Sequence, residues 1–164
     1  MDEMDPSLQS SLGLVNLVSQ ASQERLMRTL EGWGERVFVL DGSVVHDGET
    51  FLAQAARDLS LTQRARYHWA GFPDDLWGWL LKVEDHDVSI VWAHADRMLN
   101  GGLADLLLAV ECVSGVARQV YDPSESGFPR EMNLRLFLLG EGANFPEFPL
   151  PPPESGLPVG RTAD

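Results

Sequence analysis

The chain has 164 residues, 44% of them hydrophobic, with five tryptophans and one cysteine. That is enough for one well-filled core but not two, and a lone cysteine excludes an intramolecular disulfide framework. A formal net charge of -13, from 25 acidic against 12 basic residues, excludes nucleic-acid binding by phosphate neutralisation and points instead to a basic protein partner.

From the N-terminus, Leu8, Leu12, Val15 and Val18, then Leu26, Leu30 and Trp33, recur at helical spacings interrupted by Gly13. This predicts an amphipathic helical extension over residues 1–35. No basic segment followed by an apolar run opens the chain, and no stretch approaches the ~18 apolar residues of a membrane span, so the expected location is cytoplasmic. Arg36-Val37-Phe38-Val39-Leu40 reads as a strand closed by the Asp41-Gly42 turn. Residues 49–61 then place Phe51, Leu52, Ala55, Ala56 and Leu59 on one helical face. An irregular stretch over residues 62–72 leads to a short helix opened by Pro73. Val88, Ile90 and Trp92 alternate through a second strand, residues 93–99 form a short helix or turn, residues 103–120 a long buried helix, and residues 134–139 a closing strand. Cys112 lies in the apolar run of that long helix and reads as a buried thiol kept in a reducing compartment. Six of the ten prolines fall in residues 141–164, including Pro149-Leu150-Pro151-Pro152-Pro153, which predicts a disordered or polyproline II tail. Strand, helices, strand, helix, strand is the order of a small parallel sheet with helices packed on it, an α/β fold over residues 36–140.

The segment Phe72-Pro73-Asp74-Asp75-Leu76-Trp77-Gly78-Trp79-Leu80 carries the strongest functional signal. Asp74 and Asp75 sit against the positive end of the helix dipole and stabilise the helix that displays them. Acids beside tryptophans at a helix start also suit a cationic, phosphate-binding groove on another protein. Leu76, Trp79 and Leu80 are spaced to face a core, so ordinary capping and packing account for part of the pattern.

Catalytic readings find little support. Glu84-Asp85-His86-Asp87, followed by His94 and Asp96, gathers carboxylates and imidazoles, but it lacks the His-x-x-x-His spacing that aims two rings at one ion and sits where a polar turn before a strand is expected. There is no nucleophile elbow, phosphate loop, dinucleotide fingerprint or Cys-x-x-Cys pair. The expectation is a non-enzyme without metal or cofactor.

From Val37 to Gly140 the sequence resembles the barstar family of intracellular ribonuclease inhibitors. Val37-Phe38-Val39-Leu40-Asp41-Gly42 is similar to the family's first strand and turn, Asp58-Leu59-Ser60-Leu61 to the end of its first helix, and Asp74-Asp75-Leu76-Trp77 to the Asp-Ala-Leu-Trp signature of its second helix. The strand ending at Trp92, the Leu-rich helix and the Leu-rich last strand follow in the family's order.

The resemblance implies a three-stranded parallel sheet packed with about four helices. It further implies an antitoxin- or immunity-type inhibitor, of the bacterial type, that blocks a basic secreted ribonuclease inside the producing cell with its second helix and the loop before it. On that basis Asp74 is an interface acid and Trp77 its neighbouring signature residue, Asp75 is a further acid, Tyr67, His68 and Trp69 are loop contacts, and Glu111 is a rim acid on the long helix. Gly78 departs from the pattern, because the family's best-known member has an aspartate there. Lacking that carboxylate, and opening room beside Asp74, it implies an altered target. The alternative function is a non-inhibitory interaction module that engages a larger complex through the same scaffold and its terminal extensions.

Overall fold

The computed structural model describes residues 6–62 and 68–149. Four strands, β1 (Val15–Ser19), β2 (Arg36–Asp41), β3 (Asp87–Ala93) and β4 (Asn133–Gly140), form one sheet in the order β1-β4-β3-β2, with every neighbouring pair parallel. The helices are α1 (Pro6–Ser11), α2 (Gln23–Gly32), α3 (Gly48–Asp58), α4 (Phe72–Leu80), α5 (Leu103–Tyr121) and the single turn α6 (Pro123–Ser126). None in the described residues is long and apolar enough to cross a membrane.

The expected α/β class and parallel sheet are present, but the sheet has four strands where three were expected. The extra one is β1, inside the segment read as helical. Leu8, Leu12, Val15 and Val18 fit a helical period by count, yet α1 stops at Ser11, just before Gly13, and the segment that follows, with valines at 15 and 18, extends and pairs with β4, Val15 opposite Leu136 and Val18 opposite Leu139.

Period-two alternation sorts the strand side chains onto two faces. Leu40, Val88, Ile90, Trp92, Leu134, Leu136 and Leu138 point to one side and join the main core with Phe51, Leu52 and Leu59 from the α3 side, Phe72, Leu76 and Leu80 of α4, and Leu106, Val113 and Val120 of α5. Val91, Phe137, Leu139 and Val18 point to the other side and meet Leu26 and Leu30 of α2 and Phe148. The first nine residues of the Pro-rich segment therefore serve both faces: Phe148 is buried in the second cluster, Phe145 in the main core, and the Pro146 carbonyl accepts from the Ser19 N–H at 2.7 Å. Residues 150–164 lie outside the described residues.

Glu35, at the entrance to β2, is buried. Its carboxylate accepts from the Ser89 hydroxyl on β3 and the Arg135 guanidinium on β4, and from Gln9 Nε2 on α1 at 3.4 Å. One carboxylate thus joins the leading ends of three strands to the N-terminal helix, with its charge compensated by an arginine that is itself nearly buried. At the other end of β2, Gly42 lies under β3. A Cβ there would penetrate the Ala93 carbonyl oxygen and stand 2.7 Å from Trp92 Nε1. Helix α3 opens with a capping box, in which Asp47 accepts from the Thr50 N–H at 2.8 Å and Thr50 Oγ1 accepts from the Asp47 N–H at 3.1 Å. Those Thr50 bonds, the backbone N–H before the hydroxyl, hold the Asp47 carboxyl below the ordinary carboxylate range. Cys112 is half-buried, not enclosed as expected, and burial first and the Glu111 charge second push its thiol up.

Gly42→Ala is expected to destabilise the fold by about 1 to 3 kcal/mol in equilibrium urea unfolding, because neither backbone nor indole can retreat. Asp47→Ala is expected to cost about 1 kcal/mol at neutral pH. The lowered carboxyl means that the cap acts fully above the ordinary aspartate range, and its contribution is lost as pH falls through the folded-state value. The gap between the two proteins should therefore close on acidification.

Candidate functional site

Helix α4 begins one residue earlier than Pro73 suggested: Phe72 is the first helical residue, Pro73 the second, and Gly71 the cap without a side-chain bond. Phe72, Leu76, Trp79 and Leu80 are buried, and Trp79 meets Phe38 of β2 edge to face at 4.7 Å. Trp77 is half-buried with its ring edge-on to Phe128 at 4.8 Å. Arg130, 5.6 Å from the Phe128 ring centroid, donates to the carbonyls of Leu80 and Val83 at the helix C-terminus. A cation therefore closes the negative end of α4, two acids occupy its positive end, and aromatic contacts hold its flanks. The helix is a fixed platform.

On that platform the two acids differ. Asp74 is exposed. Asp75 is half-buried, and its Oδ2 is shielded from solvent with no hydrogen-bond partner among the described residues. Gly78 lies four residues after Asp74, on the same helical face. A Cβ built at Gly78 finds nothing within 4 Å, so neither packing nor close backbone approach calls for glycine there.

In the loop before α4, His68 is exposed, whereas Trp69 stacks on Phe51 of α3 at 5.4 Å and meets Phe72 edge-on at 6.0 Å. Trp69 is thus anchored in the core boundary with only part of its surface free. Tyr67 lies outside the described residues. The anchoring extends to α5: Asp105 in its first turn accepts from the Gly48 N–H at 2.9 Å, and a Cβ at Gly48 would stand 2.7 Å from Asp105 Oδ1 and 2.9 Å from Trp69 Nε1. The starts of α3 and α5 and the loop into α4 therefore lock at one place, a junction the sequence reading missed. Only a glycine directly after a capping aspartate signalled it. Glu111 is exposed on α5, and no ion pair or hydrogen bond joins it to the acids of α4 among the described residues.

The acid and histidine residues weighed as a catalytic cluster do not converge. Residues 84–86 precede β3 and His94 follows it, so seven extended residues, about 23 Å, separate the two groups. His86 Nδ1 lies 3.1 Å from the Glu131 carbonyl, and the His94 N–H donates to Gln20 Oε1 at 2.7 Å. Grooves on the described surface lie beside α3 and between α1 and α5, away from the acidic start of α4.

Among known families, the one described as barstar (barnase inhibitor) matches residues 35–135. The matched span opens just before β2 and ends within β4, so β1, α1 and α2 lie outside it. No curated protein and no solved structure matches the chain.

Gly78→Ala is expected to stabilise the protein by about 1 kcal/mol in thermal or urea unfolding, the helix-propensity difference in an open position. Destabilisation would mean that the position is crowded.

Proposed function

Because this chain belongs to the barstar family, we propose that it is an inhibitor of a basic, extracellular-type ribonuclease, acting inside the cell that makes the enzyme. The acidic start of α4 and the loop before it form the blocking surface. Asp74 is the principal contact. It is the exposed one of the two acids in the first turn of α4, a helix whose position is fixed by the core and which carries the family signature, and this observation carries the reading. A carboxylate held there offers a ribonuclease cleft the charge that an RNA phosphate would offer, with little side-chain reorganisation on binding. The overall charge of -13 adds long-range attraction to a basic enzyme, which raises the encounter rate and weakens with salt.

Trp77 acts as a support, since its ring is committed to Phe128. Asp75, His68, Trp69, Tyr67 and Glu111 form the surround of the contact. Gly78 sets the choice of target. With no side chain beside Asp74, the face leaves room for a larger group of the enzyme and lacks a second carboxylate for a cleft that requires one. A barnase-like ribonuclease is therefore bound weakly by the native chain.

Asp74→Ala is expected to weaken binding to the cognate ribonuclease by about 2 to 5 kcal/mol, a range for which the barnase and barstar pair is itself a reference system. Calorimetric titration or inhibition of RNA cleavage measures it, and the native association rate should fall as salt is raised. Unchanged affinity would reduce Asp74 to a helix-stabilising acid. Gly78→Asp is expected to tighten binding to a barnase-like ribonuclease at least about tenfold, since the position is open, a gain of about 1.4 kcal/mol. Tight binding of that enzyme by the native chain would remove the specificity role of Gly78.

A further inference from the structure

Strand β1 forms one edge of the sheet, and beyond its short length and the Pro146 carbonyl on its last N–H it lacks the devices that keep edge strands from pairing. Natural edges are usually protected by charge, proline, a bulge or a covering element. The opposite edge follows that rule. On β2, Arg36 reaches over Phe38 at 5.4 Å, and the Asp41 N–H is taken by the Asp58 carboxylate at 2.8 Å. The β1 edge has no such charge: residues 6–23 contain no Asp, Glu, Lys or Arg, in a chain where 23% of residues are charged.

The backbone of β1 is suited to pairing. The Leu14 carbonyl accepts from the Leu136 N–H of β4 at 2.8 Å. By the alternation of a parallel ladder, residues 14, 16 and 18 face β4, and Val15 and Leu17 turn their N–H and C=O groups outward. The Ser19 N–H already donates to Pro146.

Apolar side chains flank this edge. Leu17 lies opposite Leu138 in register, on the face that the helices cover, yet it is 45% exposed while Leu138 is 6% exposed. The helical layer stops short of β1. Beside the step this leaves runs α5, whose residues 117, 118 and 121 share a groove with Leu12, Gly13 and Leu14 at the entrance to β1. Leu103 and Leu107 fall on the same side of α5 as Tyr121, at spacings of four and eighteen residues from Leu103. They are 49%, 60% and 62% exposed in chain order.

We propose that a second copy of this chain docks here, β1 against β1, to make a two-fold symmetric dimer with a continuous eight-stranded sheet. Antiparallel pairing about Asn16 sets Val15 opposite the partner's Leu17 and Leu17 opposite the partner's Val15, and each pair exchanges both backbone hydrogen bonds. The contact is self-complementary, as a two-fold axis requires. Leu17, Leu103 and Leu107 of each copy supply the apolar cover that a strand pair alone lacks. Two chains of charge -13 repel over most of their surfaces, and the uncharged β1 edge is where a second copy approaches at least Coulombic cost.

Sedimentation velocity on the full chain across the micromolar range tests this. The expected result is a dimer at the upper concentrations, with the Val15 and Leu17 amides gaining protection from hydrogen exchange as it forms. Leu17→Lys, with the circular dichroism spectrum retained, should raise the dimer Kd at least about tenfold, or 1.4 kcal/mol, and Asp74→Ala should leave it unchanged. If Leu17→Lys unfolds, Leu107→Glu on the exposed side of α5 decides in its place. A chain that stays monomeric throughout overturns the proposal, as does a dimer that the folded edge variant does not weaken.

Discussion

A sheet whose strands all run parallel needs cover on both faces, and that requirement organises this molecule. The main face is closed by α3, α4 and α5, which follow directly from the alternation of strands and helices between β2 and β4. The second face is closed by chain from the two ends. Leu26 and Leu30 of α2 and Phe148 after β4 bury Val91, Phe137 and Leu139, and Val18 of β1 completes the cluster. Burying four such side chains is worth about 6 to 12 kcal/mol as an upper estimate, of the same order as the whole stability of a small domain. Residues outside the barstar-family span are therefore part of its core.

The acidic surface inherits its rigidity from this arrangement. Phe72, Leu76 and Leu80 root α4 in the main core, Trp79 reaches back to Phe38 on β2, and Arg130 closes the far end. A carboxylate on a fixed helix end binds with less loss of freedom than one on a mobile loop. The same layering leaves β1 with a covered face toward α2, an uncovered step toward α5 and an open edge. The proposed inhibitory surface centres on the start of α4 and the proposed dimer contact on β1, and the two approach each other only on α5, where Glu111 follows Leu107 by one turn.

Much of this was legible in the sequence because β2 to β4 obey simple periods. Val88, Ile90 and Trp92 alternate, Phe51, Leu52, Ala55 and Leu59 repeat helically, and Asp74-Asp75-Leu76-Trp77 marked both a helix start and a family signature. β1 was not legible, since a five-residue strand holds too few turns of either period to separate it from a helix whose spacing Val15 and Val18 also fit. Phe145 and Phe148 were masked by the prolines that follow them. The Glu35 and Arg135 pair spans 100 residues, a separation no local pattern encodes. Arg135 inside Leu134-Arg135-Leu136-Phe137 was the available hint, because a charge in an otherwise buried strand requires a partner. At the site, the sequence placed Asp74 and Gly78 on one face, but the commitment of Trp69 to Phe51 and of Trp77 to Phe128 depends on packing between elements far apart in the chain.

The dependence of the family-matched region on its terminal layer is open to direct measurement by equilibrium urea unfolding of residues 35–140 alone, which keeps Glu35 with Arg135 and the whole of β4, beside the full chain. Without α2, β1 and Phe148, the exposed Val91, Phe137 and Leu139 should abolish or strongly weaken the cooperative transition. A fragment that unfolds cooperatively, with stability close to that of the full chain, would contradict the account.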